Sequence, residues 1–348
     1  MKTIFLIFLI FSPNIFSADI WFVNGGSPKS DELVIEGEIV TGDYEKLKKI
    51  FYDYGPLIRN IYTYSPGGDA NEAMKIGTLI RSLFFKTVTP SFDWEKYDAR
   101  VDGLSLPKVP TCTASWAAQP KESQNCTCDS SCLLIWVGGI ERSGEFMGVH
   151  RPRFEKQFYG ALEAASAKKI YNKMFKEIRL YLNDFNVSEK IIDKMVNTPS
   201  HDISIVSVEE LNGFPPFFEE RLVAKCGVMP KKESKQLRSL KLRNTYEKDL
   251  SSFEKSKLLR LKEDDYKIAQ CNFMVTIVDR IKGFNKVFGA DYYDNWVALN
   301  KKYPNRKLYK KPSSDIESKL KIIKKLLDQG LITKDDAAQK RKAILSNM

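Results

Sequence analysis

A serine hydroxyl attacks a carbonyl only when a base removes its proton, and the oxyanion that forms needs N–H donors already aimed at it. Residues suited to both demands occur in this 348-residue chain. Ser130 opens a run, Leu133, Leu134, Trp136 and Val137, that is apolar nearly all round, as a buried helix is. Unpaired amides and the dipole at a helix start favour developing negative charge there. Gly67 and Gly68 end a strand-like run, and a glycine backbone can approach a substrate closely and offer it a donor. His150 follows Ser130 by twenty residues, and the chain has just one other histidine, His201, next to Asp202.

Each signal has a plainer reading when taken alone. Ser65-Pro66-Gly67-Gly68 suits a type II turn, Ser130 suits a helix cap, and His150 suits a hydrogen-bonded core position. Ser131 is a rival nucleophile. Several lysines follow, but none occupies a position that marks a Ser/Lys dyad.

The elements that must position these residues alternate. A half-buried strand is expected over Leu33 to Val40, a helix over Tyr44 to Tyr54, a strand over Asn60 to Tyr64, a helix through Ala73, Ile76 and Ile80, and a strand over Lys86 to Thr89. That order predicts an α/β fold built from parallel βαβ units. Residues 91–127 interrupt it with Pro, Ser and Cys and read as an inserted loop that covers the cleft. A helix starting near Asp129 or Ser130, a strand over Glu145 to His150, helices over Ala161 to Phe185 and Ser188 to Asn197, a strand over Ile203 to Val206 and a helix opened by Ser207 complete the domain.

Three ordered motifs carry a resemblance: Ser65-Pro66-Gly67-Gly68-Asp69, Cys128-Asp129-Ser130-Ser131-Cys132 and Gly148-Val149-His150-Arg151-Pro152. Together, over about residues 30–220, they resemble the Clp protease proteolytic subunit of the crotonase-like superfamily, and more closely its exported bacterial relatives. The resemblance implies a repeated ββα superhelix and a serine peptidase without a cofactor. It assigns Ser130 as nucleophile, His150 as base and Asp202, ahead of Ile203 to Val206, as the acid that orients the histidine. The oxyanion donors it implies are Gly67 or Gly68 with the N–H of Ser131. The family has Met and Gly after its nucleophile, whereas this chain has Ser131 and Cys132, which narrows the space beside the oxyanion. Acyl-CoA chemistry of the crotonase type needs a cytoplasmic cofactor, and export argues against it.

Export is expected from the N-terminus. Lys2, an apolar run from Ile4 to Phe11 and the small pair Ser17-Ala18 have the layout of a secretory leader, so residues 1–18 read as signal peptide and the mature chain as starting near Asp19; an uncleaved anchor is the alternative. The protein is then periplasmic or secreted, where six cysteines pair rather than persist as thiols. Cys112, Cys126, Cys128 and Cys132 crowd one stretch while Cys226 and Cys271 lie apart, and their pairing stays open. Zinc is the competing reading, but the crowded four lack two well-separated pairs, and no metal is expected.

The formal net charge of +11 is uneven. Residues 231–348 hold 29 Lys/Arg against 15 Asp/Glu, which leaves the first 230 slightly acidic. The domain is therefore bounded at 19–230, followed by a basic helical region over 231–312. Such a tail suits a solvated helix face, or contact with anionic membrane or cell-wall polymer; nucleic acid is not expected outside the cytoplasm. Residues 313–348 hold two helical patterns, Ile316 to Gln329 and Thr333 to Leu345, separated by Gly330, with Thr333 and Asp336 as a capping box. This hairpin resembles the short C-terminal domain (SHOCT) family, an appendage for oligomerisation or interaction, so a homo-oligomer is expected. Partners are a polypeptide substrate or an envelope protein. A catalytically silent scaffold that keeps the fold is the alternative function.

Overall fold

Apolar runs bounded by Gly and Pro, alternating with helical patterns, fold into one mixed sheet flanked by helices. The structure, a computed structural model, describes residues 17–23, 32–92, 110–111, 120–121, 126–153, 163–246 and 250–302. Residues 1–16 of the leader, Cys112, most of the 91–127 insertion and the 313–348 hairpin lie outside them.

The sheet has the order β1-β2-β3-β4-β7, with β1 Asp19–Val23, β2 Glu32–Glu36, β3 Asn60–Tyr64, β4 Lys86–Val88 and β7 Glu141–Ser143. β2, β3, β4 and β7 run parallel, and β1 joins the edge antiparallel to β2. The helices between the parallel strands are α1 Asp43–Tyr54, α2 Ala70–Ser82 and α3 Cys132–Trp136. This is an α/β fold. Short β5 Ser91–Phe92 and β6 Pro110–Thr111 pair within the insertion, and β8 Phe146–Val149 pairs antiparallel with β9 Ser204–Ser207.

Strand β2 differs from the half-buried expectation: all five of its residues are buried. Both faces of a parallel strand are covered, so its two apolar sets serve two packings. Leu33 and Ile35 join the main core with Leu47, Phe51 and Phe85, while Val34 packs with Trp21, Tyr62 and Tyr64. Lys121 of the insertion closes over that second face, its ammonium 4.6 Å from the Trp21 ring centroid and its N–H donating to Glu36 at 2.8 Å.

The chain enters the fold on a buried carboxylate. Asp43 accepts from the Ser17 hydroxyl at 2.6 Å, from the Ala18 N–H at 3.2 Å and from the Val40 N–H at 2.9 Å, and Ala18 is fully buried.

Beyond β8 come α4 Ala164–Asp184, α5 Glu189–Asn197 and, after a single 3-10 turn at Glu209–Leu211 where a longer helix was expected, α6 Pro216–Cys226. The basic region forms α7 Lys231–Tyr246, α8 Ser252–Phe288 and α9 Tyr292–Lys302. Its far end belongs to the main core, so the core runs past residue 230. Phe284 is fully buried against Phe85 and Tyr292 is buried with it. Arg280 donates to the carbonyls of Phe84 at 3.0 Å and Ile58 at 3.1 Å, and its burial lowers the guanidinium to about 10. A disulfide between Cys226 and Cys271 ties α6 to α8. Among the described residues no helix is long and apolar enough to cross a membrane.

Candidate active site

At the carboxyl ends of parallel strands the chain must turn back, and open α/β sheets keep their ligand crevices there. β3 ends at Tyr64, and Ser65 to Asp69 lead into α2. Asp69 caps that helix by accepting from the amides of Asn71 at 2.9 Å and Glu72 at 3.1 Å. Gly67 and Gly68 adopt φ of +107° and +134°, in the region that favours glycine.

Backbone hydrogen bonds join the three sequence motifs side by side. The Ser65 N–H donates to the Thr127 carbonyl and the Asp129 N–H to the Ser65 carbonyl, both at 2.9 Å. On the other side, the Gly148 N–H donates to the Cys128 carbonyl at 3.0 Å and the Ser130 N–H to the Gly148 carbonyl at 2.8 Å. The segment 127–130 is thus a strip clamped between the Gly-Gly turn and β8.

Ser130 leaves this strip with φ +55°, a left-handed conformation that a non-glycine residue adopts at a cost of about 1–3 kcal/mol. Such a turn between extended chain and helix pushes a serine side chain out of the backbone run. The helix itself begins later than expected, at Cys132 with Ser131 as cap, and has five residues. Any oxyanion donor here is therefore an individual amide rather than a long helix dipole.

The amides are distinguishable. Gly67 N–H donates to the Ser65 hydroxyl at 3.0 Å, so that candidate donor is occupied. Gly68 N–H and Ser131 N–H bond to no described residue. The Ser131 hydroxyl is buried without a partner among the described residues, so it is not a free nucleophile facing solvent.

The disulfide Cys128–Cys132 spans the turn on either side of Asp129, Ser130 and Ser131. Cys126 is also disulfide-bonded, to a partner outside the described residues. These pairings remove the thiolates that a zinc site would need, and among the described residues no cluster of His, Cys, Asp or Glu is suited to a metal. α3 is fixed from below: Tyr181 donates to the Leu134 carbonyl at 2.7 Å, Arg81 to the Val137 carbonyl at 2.8 Å, and Gly77 meets Gly138 backbone to backbone.

His150 is half-buried just past β8, its Nδ1 2.8 Å from the Arg151 carbonyl. A carbonyl can only accept, so this contact places the proton on Nδ1 and leaves Nε2 as the acceptor, the tautomer a general base requires. No hydrogen bond joins His150 to Ser130. Asp202 does not reach His150. The β8–β9 pairing sets Ser204 opposite Val149 and so brings Asp202 to the same end, but its carboxylate is 58% exposed and lies 3.6 Å from Nε2 of His201.

Sequence reasoning passed over Asp129. Its Oδ1 would lie 1.9 Å from a β-carbon on Gly148, and the Thr127 hydroxyl donates to Oδ2. Burial pushes this carboxyl up, against the Thr127 and Gly148 hydrogen bonds and the His150 charge, which pull it down. The signal was its place beside Ser130 in the second motif.

A separate cavity of about 310 Å³, lined by Tyr52, Asp53, Phe288, Tyr292 and Trp296 among others, contains none of these residues.

No protein-family model matches the chain, and no curated protein is similar to it. Among solved structures the chain is similar to the 1510-N membrane-bound stomatin-specific protease, solved as an alanine mutant. The two are 14% identical, the match covers 56% of this chain and 83% of that one, and the TM-score is 0.33. At that overlap the likeness carries no argument about chemistry.

Proposed function

We propose that the protein is an exported serine hydrolase that cleaves peptide bonds through an acyl-enzyme. Ser130 attacks the scissile carbonyl while Nε2 of His150 takes its proton. The tetrahedral oxyanion accepts from the amides of Gly68 and Ser131. The imidazolium then protonates the leaving amine, and water, activated by the same histidine, releases the acid product. The observation that supports this reading is the hydrogen-bonded strip that sets a serine at positive φ between a Gly-Gly turn, whose Gly68 amide bonds to no described residue, and the strand that His150 directly follows. Closing the Ser130 to His150 gap on substrate binding is asked of the enzyme, and empty sites often hold this contact long.

The same reading includes the Clp-like superhelix, a homo-oligomer joined through its C-terminal hairpin, a periplasmic or secreted location, and contact of the basic tail with anionic membrane or cell-wall polymer. Its test is active-site labelling by a fluorophosphonate together with casein hydrolysis. Ser130→Ala and His150→Ala should each abolish both. Labelling that survives Ser130→Ala would sink the proposal.

One observation favours a second reading, a silent scaffold for an envelope partner: His150 is hydrogen-bonded to neither Ser130 nor Asp202. Hydrolysis by the wild type that is lost in Ser130→Ala rules it out.

A further inference from the structure

We propose that Asp129, rather than Asp202, is the positioning carboxylate that stabilises the His150 imidazolium, with the Arg151 carbonyl fixing the ring tautomer. The inference rests on reading Ser130 and His150 as the catalytic pair.

Alternate residues of a strand share a face, and carrying the β8 alternation one residue past its end at Val149 sets His150 on the side where a Gly148 side chain would stand. That place is filled by the Asp129 carboxylate, whose Oδ1 sits 1.9 Å from the ideal β-carbon position, with a methyl of Ile203 beside it at 2.6 Å. The Asp129 to Gly148 backbone bridge holds the two segments in this register, and the Thr127 hydroxyl orients the other carboxylate oxygen. Glycine at 148 is what makes room for the acid.

Among the described residues, the charged groups nearest in the chain or across the β8–β9 pairing can be named. Asp129 comes from the clamped strip, Arg151 and Arg153 from its own segment, and His201 with Asp202 from the entry to β9. Among the described residues no Lys or Arg forms an ion pair with Asp129, and His150 is the charge that its carboxyl feels. Asp202 faces solvent and His201 instead. During the reaction the serine proton moves to Nε2 and later to the leaving amine. Asp129 stays ionised throughout and takes no proton.

The test is an NMR titration of the full-length protein, with His201→Gln leaving His150 as the sole imidazole. Asp129→Asn should lower the His150 midpoint by about 1 pH unit, the scale of losing one nearby opposite charge. It should also move the acid limb of the rate profile down by about 1 pH unit and slow fluorophosphonate labelling by up to about tenfold on the plateau at pH 8, the two effects offsetting each other at lower pH. Asp202→Asn should leave both within twofold. Thr127→Val, which frees the carboxylate without removing it, should shift the midpoint the same way by less. An unmoved midpoint in Asp129→Asn, or a shift confined to Asp202→Asn, overturns the assignment. A wild type that takes no label overturns the hydrolase reading instead and leaves the titration to decide the coupling.

Discussion

Gly67 lies so close to Ser130 that a β-carbon on the glycine would stand 2.6 Å from the serine Cβ and 3.1 Å from its Oγ. The contact is a consequence of the strip being clamped to the turn, and it leaves no room for adjustment by a flexible side chain tip.

Gly67→Ala should therefore cost about 1–3 kcal/mol from its left-handed φ alone and also displace the serine. Labelling at Ser130 is expected to fall at least tenfold while far-UV circular dichroism keeps its folded shape. Unchanged labelling would mean that the turn yields more easily than its geometry says.

Ser131→Ala should behave in the opposite manner. Its hydroxyl is buried without a partner among the described residues, and removing such a group relieves a desolvation penalty of about 1–3 kcal/mol. The variant is expected to melt at or above the wild-type temperature and to keep its label. Loss of label with an intact fold would identify Ser131 as the nucleophile.

The two disulfides between described residues should separate stability from reactivity. Loop-closure entropy gives about 4 kcal/mol for a loop the size of Cys226–Cys271, separation 45, and about 2 kcal/mol for Cys128–Cys132, separation 4. Replacing the first pair by alanine should lower the urea midpoint and spare labelling of the folded protein. Replacing the second should lower the midpoint less yet slow labelling strongly, since the released turn includes Ser130. Equal effects on both readouts would show that the short bridge does not position the serine.

Asp129 makes a pH signature. Its carboxyl is raised above its ordinary 3.8 in the fold, so the unfolded chain ionises first. Stability from this group is full below that ordinary value and is lost as pH rises through the raised one. Asp129→Asn does not titrate there. It should be at least as stable as wild type at pH 7 and lose the advantage near pH 3.5, as thermal melts at the two values would show. A variant less stable at pH 7 would make Asp129 a structural residue.

Local chemistry made much of this legible. Gly67, Gly68 and Asp69 mark a turn and a cap by residue type, and the motif order was readable because strand and helix periods alternate cleanly around it. The helical pattern of Leu133 to Val137 suggests a helix start near Ser130, whereas its left-handed turn follows from the bond of its own amide to Gly148 and of the Asp129 amide to Ser65, partners distant in sequence. Asp202 was found at the right end of β9, but a strand pattern does not say where a loop carboxylate points. The docking of α8 and α9 was invisible for another reason: Arg280, Phe284 and Tyr292 look like ordinary helix residues until their partners at Phe84, Phe85 and Phe51 are known.

The grip of Asp43 on Ser17 and Ala18 bears on where a leader peptide can be cut. A signal peptidase acting behind Ala18 would carry off a residue sealed inside the protein and leave a buried carboxylate short of two of its three donors. Cleavage between Ser17 and Ala18 would instead turn the Ala18 amide into an ammonium 3.2 Å from that carboxylate, converting a hydrogen bond into an ion pair. For the export proposed above, N-terminal sequencing of the processed protein should accordingly begin at Ala18 or earlier, one residue or more ahead of the Asp19 start expected from the small-residue rule, and a first residue of Asp19 would show that the fold tolerates losing its own doorstop.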